Sequence, residues 1–269
     1  MKTLFIGDIV GRKARNLAIE KIRLFKEKKV CDIIIVNIEN SAGGFGVTPD
    51  ICDNFLSAGA NILTSGNHIW DKKEIIPYIN NSDKLLRPLN MVEGTPGIGI
   101  TILETAFGKI GVANVMTNLF MPKSNSVFEC INLIKLKFNS KENLCFSLVD
   151  VHGEATSEKL AIGHDLNGYV SAVVGTHTHI PTGDHRILDK GTAYITDVGM
   201  SGDYDSVIGM EKQSAIARFK FPNDKHPRLT VADNTPTLCG VLITSKKNGL
   251  AESIKPIRIG GVLENIGDL

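Results

Sequence analysis

Short runs of β-branched and aliphatic residues recur along the chain, at Leu4 to Ile6, Ile33 to Ile38, Ile62 to Leu63, Phe146 to Val151 and Ala172 to Val174. Each ends at glycine or polar residues, and their near-continuous apolar character predicts strands buried on both faces. Between the first two, Ala14, Leu17, Ala18, Ile22 and Phe25 recur at helical spacing with charges on the other face, ending near Lys28-Lys29. This predicts an amphipathic helix closing a βαβ unit. Thr48-Pro49 is a cap followed by a first-turn proline, so a second helix is expected to about Ala58, then the third strand. A further helix is expected from Lys73 to about Asn80. Ile98 to Leu103 and Ile110 to Val115 read as a hairpin joined through Gly108-Lys109. Asn114 to Lys123 reads as a loop that could wall a pocket. Ser157 to His164 reads as a helix. Strands are expected at Ala193 to Thr196, Leu229 to Val231, Val241 to Thr244 and Ile254 to Ile257, and residues 207 to 219 fit helix or strand. With no repeat, low-complexity segment or linker in the sequence, residues 1–269 are expected to form a single domain.

Composition narrows the class. Hydrophobic residues make up 42% and charged residues 22% of the 269, which supports a sizeable core and argues against disorder. A net charge of +1 gives no broad basic surface for long nucleic acids, but it leaves nucleotide-sized substrates open. The five cysteines are scattered without a Cys-x-x-Cys pair and read as small buried hydrophobes of a reducing compartment. No apolar stretch approaches the roughly 20 residues of a membrane span, and no signal-peptide core follows the start, so a cytoplasmic protein is expected.

The chemistry gathers where the strands end. Four of the seven histidines fall in Gly66-Asn67-His68, Val151-His152-Gly153-Glu154 and Gly175-Thr176-His177-Thr178-His179, each just after an apolar run. His164, His185 and His226 have no ligand-type neighbour at comparable spacing and read as surface or supporting residues. The polar residues that follow the five runs are Asp8, Glu39 with Asn40, Asn67 with His68, His152, and His177 with His179. Strand ends of an α/β sheet converge on the crevice outside their carboxyl edge, so residues far apart in sequence can meet there. Two carboxylates, two asparagines and three histidines exceed the three protein ligands of one catalytic zinc, and two ions suit them better. Oxygen and imidazole donors without thiolate favour iron, manganese or zinc over copper.

Gly7-Asp8, Gly66-Asn67-His68 and Gly175-Thr176-His177-Thr178-His179 resemble the calcineurin-like metallophosphoesterase superfamily. Within it, the segments Phe5 to Arg12, Asn37 to Gly44, Ser65 to Asp71 and Ala193 to Met200 resemble the YmdB-like bacterial phosphodiesterases. The superfamily's usual Asp-x-His is Asp8-Ile9-Val10 here, and Glu39 with Asn40 takes the place of its bridging aspartate. In both departures the chain resembles the YmdB-like branch. The resemblance implies a four-layer α/β/β/α sandwich of two mixed sheets flanked by helices. It implies one ion held by Asp8, Glu39, Asn40 and His179 and another by Glu39, Asn67, His152 and His177, with Glu39 shared.

On the same resemblance His68 is the catalytic general acid, and the ions are iron or manganese, with zinc as a third choice. The implied function is a dinuclear-metal phosphodiesterase in which a bridging hydroxide attacks cyclic nucleotides, 2′,3′-cyclic monophosphates first and 3′,5′-cyclic ones second. Asp71 fits either as the partner that orients His68 or as a helix cap. Arg12 fits phosphate contact or solvent. Trp70 fits base stacking or core packing. A homo-oligomer is a family-based expectation. Two rivals remain at this point: a phosphomonoesterase on the same site, and a signalling protein that binds metal and nucleotide without turnover. A dinucleotide-binding dehydrogenase is disfavoured, because Gly7 and Gly11 lack the Gly-x-Gly-x-x-Gly spacing and Asp8 would repel a pyrophosphate.

Overall fold

The computed structural model describes residues 1–139 and 143–267; the expected span 1–269 also includes residues 140–142, 268 and 269, which lie outside the described residues. The elements in chain order are β1 (Lys2–Ile6), α1 (Gly11–Glu27), β2 (Ile33–Asn37), α2 (Pro49–Ala58), β3 (Ile62–Thr64), α3 (Ile75–Asn80), β4 (Ile100–Thr105) and β5 (Gly108–Met116). They continue with α4 (Val127–Asn139), β6 (Phe146–His152), α5 (Thr156–Asp165), β7 (Ala172–Thr176), β8 (Arg186–Ile187), β9 (Ala193–Ile195), α6 (Lys212–Lys220), β10 (Leu238–Ser245) and β11 (Ala251–Ile259). One sheet has the order β11-β10-β1-β2-β3 and the other β4-β5-β6-β7-β9-β8. Both are mixed: β1, β2 and β3 run parallel, as do β5, β6, β7 and β9, while β4, β8, β10 and β11 supply the antiparallel pairings.

Side-chain alternation builds the layers. In β2, Ile33 and Ile35 enter the core between the sheets while Ile34 and Val36 pack with Ala18 and Ile22 of α1 and Phe55 of α2. In β6, Phe146 and Leu148 face the other sheet, and Val149 and Val151 meet Ile131 and Ile134 of α4 and Ile162 of α5. The result is the expected α/β/β/α sandwich. Carried forward by the same period of two, Asn37, Thr64, Asn114, Asp150, His152 and Thr176 share the inter-sheet side at the carboxyl ends of their strands, and all six are buried. The apolar layer therefore closes in a polar cap, and the candidate ligands sit in that cap.

Several expectations are corrected. The hairpin turn is Ala106-Phe107, two residues earlier than expected, because Thr105 pairs with Gly108 and both Gly108 and Lys109 belong to β5. Leu229 to Val231 form no strand: only an isolated bridge joins Val231 to Met210, and Leu229 and Val231 pack with Val10, Met200 and Met210 instead of pairing with either sheet. Of the ambiguous 207–219 segment, residues 212–219 belong to helix α6, which runs on to Lys220 and is started by Glu211, whose carboxylate accepts from the amides of Gln213 and Ser214. Asn114 to Met116 continue β5, so the loop begins only at Thr117. Helix α4 was not expected at all. Its buried Val127, Ile131, Ile134 and Phe138 follow the helical period, but apolar Leu133 and Leu136 on the outer side blur the amphipathic contrast.

Candidate metal centre

The imidazole of His152, wholly buried at the end of β6, is the centre of the cap. Its Nε2 lies 3.0 Å from Asn67 Oδ1, 3.1 Å from His177 Nδ1 and 3.1 Å from Glu39 Oε1. One N–H cannot serve three acceptors at once. Ligands about 2.1 Å from a tetrahedral ion stand about 3.4 Å apart, so four such atoms at these spacings fit a metal better than a hydrogen-bond network. Among the described residues, Glu39, His152 and His177 form a group whose ligand atoms lie within 4.8 Å of one another.

Asp8, Asn40 and His179 gather beside it. Asn40 Nδ2 is 3.4 Å from His179 Nε2, and Asp8 Oδ2 accepts from the His177 amide at 3.1 Å. Asp8 Oδ1, Glu39 Oε1 and Asn40 Oδ1 are buried without a hydrogen-bond partner. Three orphaned oxygens in one buried pocket would be costly in a finished hydrogen-bond network, and a cation satisfies them together. The donor set therefore fits divalent metal. The structure brings all seven candidate ligands into one cap, more tightly on the Asn67, His152 and His177 side than on the Asp8, Asn40 and His179 side.

Partners on the far ring nitrogens fix how the imidazoles face. Thr176 Oγ1 donates to Asp150 Oδ1 at 2.7 Å and is therefore left to accept from His152 Nδ1 at 3.0 Å. His179 Nδ1 donates to the carbonyl of Ile208 at 2.8 Å, and His177 Nε2 faces Glu154 at 3.4 Å. Each ring thus turns a lone pair toward the pocket when neutral. Asp150 is further anchored by the Thr64 hydroxyl at 2.6 Å and the Asn37 amide at 3.1 Å, which ties three strands of the two sheets together. Asp150 and Thr176 were missed in the sequence. The signal was there: Asp150 shares the inward face with His152 two residues on, and Thr176 opens the Thr-His-Thr-His run.

The backbone is arranged around the same point. His177 and His179 adopt positive φ, 99° and 66°, a conformation that needs support from its surroundings. That support includes Asp197, which accepts from the Thr178 amide at 3.0 Å and pairs with the buried Lys159 at 2.9 Å, whose ammonium also caps the Thr176 carbonyl. Gly66 lies against the cluster itself, where a Cβ would overlap His152 Nε2 and Glu39 Oε2.

His68 is half-buried at the rim. Its amide donates to Glu39 Oε2 at 3.1 Å, and its Nδ1 meets Asp71 Oδ2 at 2.9 Å. Of the two expectations for Asp71, orienting His68 is the one the geometry supports, since its carboxylate meets His68 and α3 begins only at Ile75, after Glu74. Trp70 packs with the α1 and α2 core, and Arg12 is exposed at the start of α1. Of the remaining histidines, His164 and His185 are exposed and His226 bonds the Phe221 carbonyl.

Residues 4–257 match the family described as YmdB-like protein. The chain belongs to the YmdB-like family. It is 44% identical over 243 residues, 90% of each chain, to the 2′,3′-cyclic-nucleotide 2′-phosphodiesterase of Bacillus subtilis. A putative phosphatase/phosphodiesterase of Mycoplasma pneumoniae is 36% identical over 84% of this chain and 82% of its own length. Among solved structures, a hypothetical protein of Thermus thermophilus superposes with a TM-score of 0.89 at 34% identity, covering 97% of this chain and 100% of that one. A Mycoplasma pneumoniae phosphatase gives 0.87 at 33%, covering 97% and 93%. A putative 5′-nucleotidase of Staphylococcus aureus, at 0.57 and 14% identity, shares the fold. No helix among the described residues of this YmdB-like chain is long and apolar enough to cross a membrane.

Without an ion, the cap must settle its own charges. Burial disfavours both ions of the Glu39–His152 pair, yet each holds the other charged: the Glu39 carboxyl drops to about 2 and His152 rises to about 9. Burial and the neighbouring His152 push His177 down to about 3, and burial raises Asp8 and lifts Asp150 to about 7. An ion held by His152 would have to displace this proton. Below about 9 that proton competes with the ion, so metal affinity is expected to rise by up to about tenfold per pH unit and to level off above it. Competition titration with a chelator between about pH 6 and about pH 9 checks this, and a pH-independent affinity would contradict it.

Proposed function

We propose that the chain is a dinuclear-metal phosphodiesterase acting on cyclic nucleotides, 2′,3′-cyclic nucleoside monophosphates first and 3′,5′-cyclic ones second. The observation that carries this reading is Glu39, whose two oxygens stand between the His152 side and the His68 amide in a pocket of orphaned ligand atoms. Similarity to the Bacillus subtilis enzyme supports the reaction class, a phosphoric diester hydrolysis. Asp8, Glu39, Asn40 and His179 would hold one ion and Glu39, Asn67, His152 and His177 the other, with iron or manganese preferred over zinc. When bound, the pair supplies Lewis acidity that neutralises phosphoryl charge and makes water nucleophilic at neutral pH.

The chain's own residues do the rest. As the bond from phosphorus to the ribose 2′ oxygen breaks, the departing alkoxide needs a proton, and His68 Nε2 is the rim donor left free by the bond from Nδ1 to Asp71. Asp71 holds the ring in that orientation. Glu154 and Asp150 keep the ligand imidazoles in the receptive tautomer.

His68→Ala is expected to retain metal and to lose about 10²- to 10⁴-fold in kcat on 2′,3′-cyclic AMP. The loss should shrink on a nitrophenyl diester, whose leaving group needs no proton. A variant as active as wild type on the cyclic nucleotide would remove His68 from this role. The reading as a whole is tested by turnover of 2′,3′-cyclic AMP, 3′,5′-cyclic AMP and a phosphomonoester by the purified protein. Faster hydrolysis of the monoester would replace it with a phosphomonoesterase on the same site, and metal and nucleotide binding without turnover would replace it with a signalling protein.

A further inference from the structure

On the rim beyond His68 lies an open cleft of about 230 Å³, lined by Phe45, His68, Asp71, Arg218, Arg228 and Leu229. The ring of Phe45 stands edge-on to His68 with centroids 5.1 Å apart, and the Arg228 guanidinium lies over Phe45 at 5.5 Å. Among the described residues Arg228 has no carboxylate or carbonyl partner, although its charge is presented on an exposed segment. Arg218 donates one Nη to the Pro227 carbonyl and keeps a buried Nε with no partner. The one acid in the cleft, Asp71, is already engaged by His68. Two guanidinium groups thus face a cleft with no free carboxylate. Guanidinium donors in a fixed fork are matched to phosphate oxygens, and a stacked arginine is held ready at little entropic cost.

The position of the cleft says which phosphate. On the function proposed above, on which this inference rests, His68 protonates the ribose oxygen that leaves phosphorus. The ribose and its 5′ substituent therefore lie on the His68 side of the reaction. We infer that Arg228, with Arg218 beside it, forms a subsite for a phosphate on the 5′ carbon of that ribose. The preferred substrate is then a nucleoside 2′,3′-cyclic phosphate that carries a 5′-phosphate or a 5′-phosphodiester. A free nucleotide and the 3′ end of a short oligoribonucleotide share this chemistry.

The test compares kcat/KM of the metal-loaded enzyme on adenosine 2′,3′-cyclic phosphate, its 5′-phosphorylated form, and a dinucleotide ending in a 2′,3′-cyclic phosphate. The expected ratio favours the 5′-phosphorylated substrate by about five- to tenfold at low salt and declines as ionic strength rises. In Arg228→Ala it falls to about one, and in Arg228→Glu below one. A larger ratio for the dinucleotide than for the mononucleotide assigns the subsite to an oligonucleotide end, and the reverse assigns it to a free nucleotide. A ratio of one in the wild type, or a ratio unchanged by Arg228→Ala, overturns the subsite while leaving the phosphodiesterase reading in place. Failure to hydrolyse any of the three, with a phosphomonoester still cleaved, overturns both.

Discussion

Gly66→Ala is expected to leave the protein folded and to abolish its chemistry. The backbone of Gly66 is not in the left-handed region, so alanine meets no intrinsic strain there. What it meets is the cluster, because its methyl group would overlap His152 Nε2 and Glu39 Oε2. His152 is wholly buried and held from behind by Thr176, and Glu39 is held by the His68 amide, so neither can step aside without leaving the position that its proposed role as a ligand requires. An overpacked core position of this kind costs about 1–3 kcal/mol, which the rest of the fold absorbs. Misplacing two ligands by about an ångström costs about 10²-fold or more in rate. Circular dichroism, metal content and turnover measured on one preparation decide the point. Wild-type metal content with a wild-type rate would mean that the pocket has room which the structure does not show.

The second large effect is on stability. Asp197→Asn strands the Lys159 ammonium, which is 1% exposed, and leaves one acceptor oxygen where two served Lys159, the Thr178 amide and the Gly199 amide. Breaking a buried pair from one side costs about 3–5 kcal/mol, which for a chain of this size lowers Tm by about 10 °C. The loop that carries His177 and His179 in positive φ is held by one acceptor fewer at the same time, so metal retention should fall below that expected from stability alone. Replacing Lys159 by Met in the same chain removes the stranded charge and should recover much of the Tm without restoring metal. A single Asp197→Asn variant that melts with wild type would show that the pair contributes nothing to the fold.

The strands were legible because their residues are apolar on both faces, as β2 shows with four successive buried aliphatic side chains. The clustering of the candidate ligands was legible because strand ends of an α/β sheet point to one crevice, while their division into two sets rests on the resemblance alone. What stayed hidden depended on packing across the gap between the sheets. Asp150 looks like an interruption of an apolar strand until β2, β3 and β7 place Asn37, Thr64 and Thr176 around it. Helix α4 was masked by Leu133 and Leu136, which the fold leaves on its outer side. Arg228 lies in an irregular segment that was expected to lead into a strand, and only the folded chain carries it over Phe45. The isolated bridge at Val231 has a similar origin, since Leu229 and Val231 find their packing partners in Val10, Met200 and Met210 and not along a sheet edge.

Everything proposed for the chemistry depends on Glu39 serving two ions. Elemental analysis of the purified protein and of Glu39→Gln, coupled to turnover of 2′,3′-cyclic AMP, addresses this directly. About two ions per chain in the wild type, with loss of both metal and activity in Glu39→Gln, is the predicted result. One ion per chain in a fully active wild type, or a Glu39→Gln protein that keeps its metal and its rate, would contradict it.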